Sequence, residues 1–544
     1  MGALLESKHE RRSSYHEHTK SATRARSASR TRKPLPRKMS SPRLMHTVSA
    51  ESLTREIQDL NLNGNPQEVI EVPFVKAHLD PSLPEDYLRA DVIKIAQALK
   101  IPKWHSKKSG GAHLNPEQLK LTRITGALTN AIFKVEYRSL PSLLLRVYGP
   151  NVDSIIDRDY ELQVLARLSS RSVGPSLYGC FTNGRFEQFL ENSTTLTNND
   201  IRDWHTSQRI ARRMKELHVG VPLTMAEKAQ GSICWHRIEK WLKIIGKSQW
   251  SKNDENMQQV LLVENWETFK HLAARYQKWL KIQELLHKND VFCHNDAQCG
   301  NLLFTSRPSV AATPVSSSSA DTEGSLFPTS SNISVETIIR PSAEEQSQDS
   351  KLVVIDFEYS GPGPAPYDLA NHLSEWMGDY NCAQSYRSFD EKYPNKEQIL
   401  NFIYSYVAHK RDLNASCLDD EVRKTYNEVI KQRPSVSLHW CLWGIMQSGE
   451  LEEKPQVQVL ETGTLGEKYV ITTAETTSEG EEDNENFMPD TDVIDGVDID
   501  TFQNLLYSAD KMRLFWGDLV QLGLIKKEEL LPDISLKYLD VNMI

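Results

Sequence analysis

Two short polar segments, each directly after an apolar run, constrain most strongly what this 544-residue chain can fold into. The first, His294-Asn295-Asp296, follows Val291-Phe292-Cys293. The second, Asp356-Phe357-Glu358, follows Val353-Val354-Ile355. Short apolar runs of this kind are typical of buried strands. Both segments are therefore predicted to place a carboxylate at the end of a buried strand.

The first segment continues to Asn301 and so fits the pattern H-x-D-x-x-x-x-N. Phosphoryl-transfer enzymes of the kinase fold use this pattern as a catalytic loop, in which a carboxylate accepts the nucleophile's proton and an amide oxygen reaches a metal ion. We predict that Asp296 is the catalytic base and that Asn301 is a Mg²⁺ ligand. His294 is predicted to brace the loop by packing and hydrogen bonding, as a satisfied core histidine also does.

The second segment resembles the context of the metal-binding aspartate in the D-F-G segment of kinases. We predict that Asp356 binds the Mg²⁺ that bridges the ATP phosphates. A strand-end aspartate alone is more often a cap or turn residue. The two segments in this order, with a strand-rich region before them and a helical region after them, favour phosphoryl transfer.

The nucleotide end of the site carries weaker signals. Thr129 and Asn130 end a turn between two predicted strands, where they would contact ATP phosphates, although one glycine in a hairpin equally indicates a plain turn. Arg146 lies in an apolar strand where protein kinases place a phosphate-binding lysine. Glu161, on the next predicted helix, is its expected partner because an unpaired buried charge is costly. The alternative is two unrelated surface charges.

Composition divides the chain into ordered and disordered parts. Residues 1–64 form a basic, Ser/Arg-rich stretch that we predict to be a disordered tail. Residues 305–350 and 452–500 are predicted to be disordered insertions, the first between strands that still pair as a hairpin. The predicted fold class is α+β: a two-lobed, protein-kinase-like fold with a small β-rich N-lobe over 106–192 and a large, mainly helical C-lobe over 193–544.

Three motifs together resemble the choline/ethanolamine kinase family: residues 294–301, residues 355–359, and Tyr367-Asp368-Leu369-Ala370-Asn371-His372. The resemblance covers roughly residues 119 to 304 and 351 to 451, with a tail near 501 to 520. Residues 65–105 are similar to the N-terminal segment of fungal choline kinases. The resemblance implies ATP and Mg²⁺, a choline acceptor converted to phosphocholine in the first step of the CDP-choline route to phosphatidylcholine, and frequently a homodimer.

The same resemblance implies roles for further residues. Gln298 is implied to lie near the transferred phosphate, and Glu187 and Phe189 belong to a segment similar to the hinge that holds adenine. The implied acceptor-binding residues are Glu375, Tyr380, Trp440, Trp443 and Tyr507.

The tryptophan pair adds a physical reason to prefer choline. Trp440 and Trp443 are about one helical turn apart and so share a helix face. A quaternary ammonium donates no hydrogen bond and is held by ring faces at about 0.5 to 2 kcal/mol each. The ammonium of ethanolamine has three donors and would prefer carboxylates and carbonyls. The segment 360–366 departs from the family by lacking its usual aromatic, Asn and Arg side chains, which leaves the acceptor preference open.

Other readings are an ethanolamine or dual choline/ethanolamine kinase, an aminoglycoside-type phosphotransferase, and a non-catalytic kinase-like scaffold. A net charge of -9 disfavours nucleic-acid binding. No apolar stretch reaches the length of about 18 to 20 residues that spans a bilayer. The seven cysteines have no metal-site or disulfide spacing. We therefore predict a cytoplasmic enzyme without stable membrane insertion.

Overall fold

The structure is a computed structural model. It describes residues 72–105, 114–124, 130–138, 140–148, 158–171, 173–286, 289–306, 326, 335–411, 418–451, 459–460, 469–470 and 502–544. The predicted basic tail, Thr129, and most of the predicted insertion at 452–500 lie outside the described residues.

A six-stranded sheet forms the N-lobe. Its strands are β1 (Phe74–Val75), β2 (Lys120–Ile124), β3 (Asn130–Glu136), β4 (Leu143–Tyr148), β5 (Leu177–Phe181) and β6 (Gly184–Gln188). They follow the order β1-β5-β6-β4-β3-β2, with β1 parallel to β5 and the other pairs antiparallel.

Alternating side chains explain how this sheet is covered. Val135, Leu145 and Phe186 are buried on one face, against a helix, α1 (Glu85–Ala98), that packs its apolar stripe there. Because β1 and α1 both join the sheet, the residues described from 72 to 105 belong to the N-lobe. A second helix, α2 (Arg158–Ser170), follows β4.

The C-lobe is mainly helical. Its helices are α3 (Asn198–Arg202), α4 (Trp204–Gly220), α5 (Met225–Gln230), α6 (Ile233–Ile245), α7 (Trp266–Ile282), α8 (Val335–Ile339), α9 (Ala343–Asp349), α10 (Ala365–Glu375), α11 (Lys396–Ala408), α12 (Leu418–Gln447) and α13 (Asn504–Gln521). Its strands are β7 (Thr194–Thr195), β8 (Val291–Cys293), β9 (Leu302–Phe304), β10 (Leu352–Val354), β11 (Gly361–Gly363), β12 (Val459–Leu460) and β13 (Tyr469–Val470). Short turns include the π-helix Met257–Leu261.

The C-lobe core is built where α10, α12 and α13 pack together. It contains three fully buried tryptophans, Trp241, Trp376 and Trp516. Within the described residues, no helix is both long and apolar enough to cross a membrane. The predicted α+β, two-lobed kinase-like fold is confirmed.

Part of the predicted insertion at 305–350 is helical, while its residues 307–325 and 327–334 lie outside the described residues. Residues 335–349 of the predicted disordered insertion form helices α8 and α9. Ile338 is 1% exposed in the C-lobe core, and Asp349 is buried in an ion pair with Arg212. Ile338 and the paired carboxylate of Asp349 attach this polar segment to the C-lobe. The composition of the segment does not predict these two contacts. The flanking strands β9 and β10 pair as an antiparallel hairpin, as predicted.

Candidate active site

The loop after β8 is held from behind by a buried carboxylate. The backbone N–H groups of His294 and Asn295 donate to Asp368 at 2.8 and 2.7 Å. Asp368 lies in the first turn of α10 and is fully buried. Asn295 adopts a left-handed backbone conformation, with φ at 64°. These bonds therefore fix the tight turn that leads into Asp296.

His294 connects the two polar segments. Its Nδ1 accepts from the Asp296 N–H at 3.2 Å, so the proton lies on Nε2, which donates to the Ile355 carbonyl at 2.9 Å. The ring packs on Phe357 with centroids 5.0 Å apart. Burial lowers the pKa of His294 despite the nearby charge of Asp368, which keeps the ring neutral. These are the contacts expected of a brace.

Asn301 and Asp356 face each other at the base of the β9–β10 hairpin. The Ile355 N–H donates to the Asn301 carbonyl at 3.0 Å, and Leu302 pairs with Val354. The Asn301 amide nitrogen donates to Asp296 at 2.8 Å, so the side-chain oxygen of Asn301 points away from Asp296. Asp356 is 22% exposed and has a left-handed φ of 63°. One amide and one carboxylate oxygen at the same hairpin base suit Mg²⁺, which prefers oxygen ligands.

Asp296 lies among other acidic groups. Burial raises its pKa well above the ordinary value, and the charges of Glu375, Asp356 and Glu358 raise it further, while the hydrogen bond from Asn301 opposes the shift. Crowded carboxylates of this kind are the environment that a divalent cation stabilises. The donor set therefore fits the predicted metal.

Gln298 stabilises the turn between Asp296 and Asn301. Its Oε1 accepts from the Gly300 N–H at 3.1 Å, at the start of a short 3-10 turn. The structure thus gives Gln298 a local capping contact, and its predicted role beside the phosphate remains a proposal.

Arg146 reaches across to the catalytic segment, not to Glu161. Its Nη1 lies 3.2 Å from Asp356 and 3.8 Å from Glu358, and its Nε lies 3.7 Å from Glu187. Burial opposes its charge, yet Asp356 above all raises its pKa. The buried guanidinium is therefore held by three carboxylates, one from β6 and two from the segment after β10.

The predicted Arg146–Glu161 pair was wrong. Glu161 binds Arg185 at 2.8 Å, with both side chains 1% exposed. Arg185 also donates to Glu187 at 2.6 Å and lies opposite Arg146 on the neighbouring strand. Two buried arginines side by side repel each other unless carboxylates lie on both sides of the pair. Glu161 therefore pairs with Arg185. Arg185 lies in the strand Gly184–Gln188, whose sequence GRFEQ has no apolar run to mark a buried arginine.

The remaining nucleotide-side residues lie around this network. Glu187 is the next-to-last residue of β6, and its carboxylate lies 3.7 Å from Arg146 and 2.6 Å from Arg185. Phe189 comes directly after the strand, with Lys134 4.8 Å above its ring. The backbone of Asn130 begins β3, and Thr129 is not described. Glu187, Phe189 and Asn130 therefore belong to the sheet side of the site.

The predicted acceptor residues come together in the C-lobe. Tyr380 donates its hydroxyl hydrogen bond to Glu375 at 2.9 Å. The Trp440 and Trp443 rings meet edge to face at 5.6 Å, and Trp443 contacts Tyr507 at 5.9 Å. Three separate parts of the sequence thus build one aromatic cluster with one carboxylate.

Sequence reasoning missed two members of this cluster. Tyr359 accepts from the Trp443 indole N–H at 2.8 Å and meets Trp440 at 5.3 Å. Lys511 is 4% exposed, with its Nζ 5.0 Å above the Tyr507 ring. The position of Tyr359 directly after Glu358 was the available signal, whereas Lys511 had none.

The Gly/Pro-rich segment 360–366 packs behind the loop 294–301. Gly361–Gly363 forms β11, which pairs with β8, and Ser360 donates to the His294 carbonyl at 3.2 Å. A Cβ on Gly361 would lie 3.0 Å from both Ile233 and Tyr160. The glycine therefore permits a close approach behind the loop.

The chain matches two family models: "Choline/ethanolamine kinase" over residues 121–464 and "Choline kinase N terminus" over residues 66–110. A choline kinase of Saccharomyces cerevisiae is 49% identical, over 95% of this chain and 96% of its own length. An ethanolamine kinase of the same yeast is 39% identical, over 88% of this chain and 84% of its own length. A solved Plasmodium vivax ethanolamine kinase aligns with a TM-score of 0.47 and 21% identity, over 69% of this chain and 85% of that chain.

Proposed function

Because the chain belongs to the choline/ethanolamine kinase family, we propose that it transfers the γ-phosphate of ATP to the hydroxyl group of choline, giving phosphocholine and ADP. The observation that carries this proposal is the position of Asp296. The charge of Glu375 on the acceptor side raises the pKa of Asp296, and so do the charges of Asp356 and Glu358 on the nucleotide side. A base between the two substrates is what direct phosphoryl transfer requires.

Three residues would perform the transfer. Asp296 would orient the acceptor hydroxyl and take its proton as the oxygen attacks phosphorus. Asn301 and Asp356 would hold Mg²⁺ through their oxygens. A bound Mg²⁺ offsets the charge that grows on the phosphates as the γ-phosphoryl group departs. Arg146, 3.2 Å from Asp356, would contact the same phosphates.

The acceptor side favours a methylated ammonium. The indole N–H groups of Trp440 and Trp443 already donate to Asn371 and Tyr359, at 2.7 and 2.8 Å. The rings therefore present carbon surfaces, which attract a quaternary ammonium. Glu375 supplies the negative charge that balances it.

Ethanolamine is the second candidate acceptor. Glu375 can accept hydrogen bonds from a primary ammonium, and the yeast ethanolamine kinase is 39% identical to this chain. A kinase with both activities is consistent with these two observations.

The test is a comparison of kcat/KM for choline, ethanolamine and their mono- and dimethylated intermediates, with ATP and Mg²⁺. We expect kcat/KM to rise with each methyl group, because each adds contact with the rings. A falling series would assign the protein to ethanolamine, and no turnover of any of the four would reject the proposal.

The wider setting follows from the reaction. We propose that the enzyme acts in the cytoplasm, as a monomer or a homodimer, and that its phosphocholine enters the CDP-choline route to phosphatidylcholine. Separating phosphocholine from added isotopically labelled choline in a cytosolic fraction would test the first part.

A further inference from the structure

The chain between the two predicted metal ligands ends in a helix that is fastened to the C-lobe. Asp349, the last residue of α9, accepts two hydrogen bonds from Arg212 of α4, at 2.6 Å from Nε and 2.8 Å from Nη2. The Asp349 and Arg212 side chains are 8% and 3% exposed. This is a bidentate, buried ion pair, the strongest geometry for an arginine and a carboxylate.

The ion pair lies directly before β10. The Lys351 N–H donates to the Gln348 carbonyl at 3.0 Å, and Thr305, after β9, donates to the Lys351 carbonyl at 2.9 Å. The neighbouring arginine of α4, Arg213, donates to the Leu352 carbonyl at 3.0 Å. Two consecutive arginines therefore hold one end of the β9–β10 hairpin.

Asn301 and Asp356 are at the other end of that hairpin. The strands are only three residue pairs long, from Leu352 opposite Phe304 to Val354 opposite Leu302. This corresponds to roughly 10 Å. Because two short strands have few hydrogen bonds of their own, a fixed far end limits how much the ligand end can shift.

The Asp349 carboxylate also balances buried positive charge on α4. Arg209 and Arg212 lie one turn apart on α4 and are both buried. Burial lowers the pKa of Arg209, and Asp349 is the leading charge that opposes the shift. Without Asp349, two buried cations would face each other. A capping box at Ser342 and the buried Ile338 hold α9 and α8 in place for this contact.

We propose that Asp349 is a positioning residue for phosphoryl transfer, which fixes the spacing of Asn301 and Asp356 through its ion pair with Arg212. The proposal rests on the proposed function, because it takes these two residues as the metal ligands. It assigns a role to a segment inserted between them in the sequence.

The decisive variant is Asp349→Asn, which keeps the shape and removes the charge. Glu344→Gln is its matched control on the same helix, because the Glu344 side chain is exposed. The readouts are Mn²⁺ affinity by electron paramagnetic resonance with a non-hydrolysable ATP analogue, amide exchange at Val354 and Ile355, and kinetics.

We expect Asp349→Asn to weaken Mn²⁺ binding about three- to thirtyfold, to speed amide exchange at the hairpin and to lower kcat. The KM for choline should stay within about twofold, because the aromatic cluster is untouched. Glu344→Gln should match the wild type. If Asp349→Asn does not fold, Arg212→Lys, which keeps the charge but loses the fork, should weaken Mn²⁺ binding in the same direction.

Unchanged Mn²⁺ affinity in a folded Asp349→Asn or Arg212→Lys variant would overturn the proposal and leave the ion pair a purely stabilising role. Failure of the proposed function looks different. A wild type that binds Mn²⁺ and nucleotide but phosphorylates no amino alcohol would reject the acceptor, while a loss of Mn²⁺ affinity in Asp349→Asn would still support positioning. A wild type that binds neither Mn²⁺ nor nucleotide would reject both.

Discussion

The two ends of the candidate site solve opposite electrostatic problems. At the nucleotide end, the charges of Asp356 and Glu358 act on Asp296, and Arg146 lies 3.2 Å from Asp356 and 3.8 Å from Glu358. At the acceptor end, Tyr380, Trp440 and Trp443 already donate to Glu375, Asn371 and Tyr359. The first end accumulates like charge, whereas the second is a packed, satisfied cluster.

This difference predicts how each end of the site responds to substitution. Crowded carboxylates gain most when a divalent cation and its nucleotide arrive, so that end is expected to be sensitive to charge. The aromatic end is already arranged before the acceptor binds, so it is expected to be sensitive to shape. Variants at each end should therefore fail in different ways.

The largest effect is expected at Asp296. We predict that Asp296→Asn lowers kcat by about 10³-fold, because the hydroxyl loses its proton acceptor, while ATP affinity is largely kept. Steady-state kinetics and isothermal titration with an ATP analogue measure the two quantities. Near-normal turnover would remove Asp296 from the mechanism and leave the charged end without a base.

The next effect separates two neighbouring ion pairs. We predict that Glu161→Ala destabilises the fold by about 3 kcal/mol, since it leaves Arg185 buried with one carboxylate fewer. Arg146→Gln should instead raise the KM for ATP. Urea unfolding and kinetics on both variants provide the comparison. Equal increases in the KM for ATP would restore Glu161 as a functional partner of Arg146.

At the acceptor end, the expected effect is one of selectivity. We predict that Trp440→Ala raises the KM for choline by about 5- to 30-fold and that for ethanolamine by less. Trp235→Ala is the control, because Trp235 is equally buried and packs against Tyr276 outside the cluster. It should lower stability without changing the ratio of the two KM values. Equal effects of Trp440→Ala on both substrates would contradict the aromatic cage.

The smallest effect is in stability. Because the pKa of Asp296 is raised in the folded protein, its ionised form opposes folding at pH 8, and Asp296→Asn should raise the melting temperature by a few degrees. The gain should fade as the pH falls through the raised pKa, where the wild-type carboxyl group takes up its proton. Calorimetry at several pH values tests this, and a gain that grows towards low pH would contradict it.

The local order of the chain could be predicted from residue patterns. The buried strands before His294 and Asp356 were predicted from short apolar runs, and the structure has β8 and β10 there. The catalytic loop was predicted from spacing, because a single rigid turn fixes Asp296 relative to Asn301. Such features depend on residues close in sequence.

The sequence by itself thus determined the elements and the two carboxylate segments, and the tertiary structure decided which distant charges meet. Arg146 pairs with Asp356, 210 positions away, and Glu161 with Arg185, because the register of β4 against β6 sets the two arginines side by side. Asp349 is buried only because α4 presents Arg212 to it. Long-range ion pairs follow from strand register and helix packing, which no local pattern encodes.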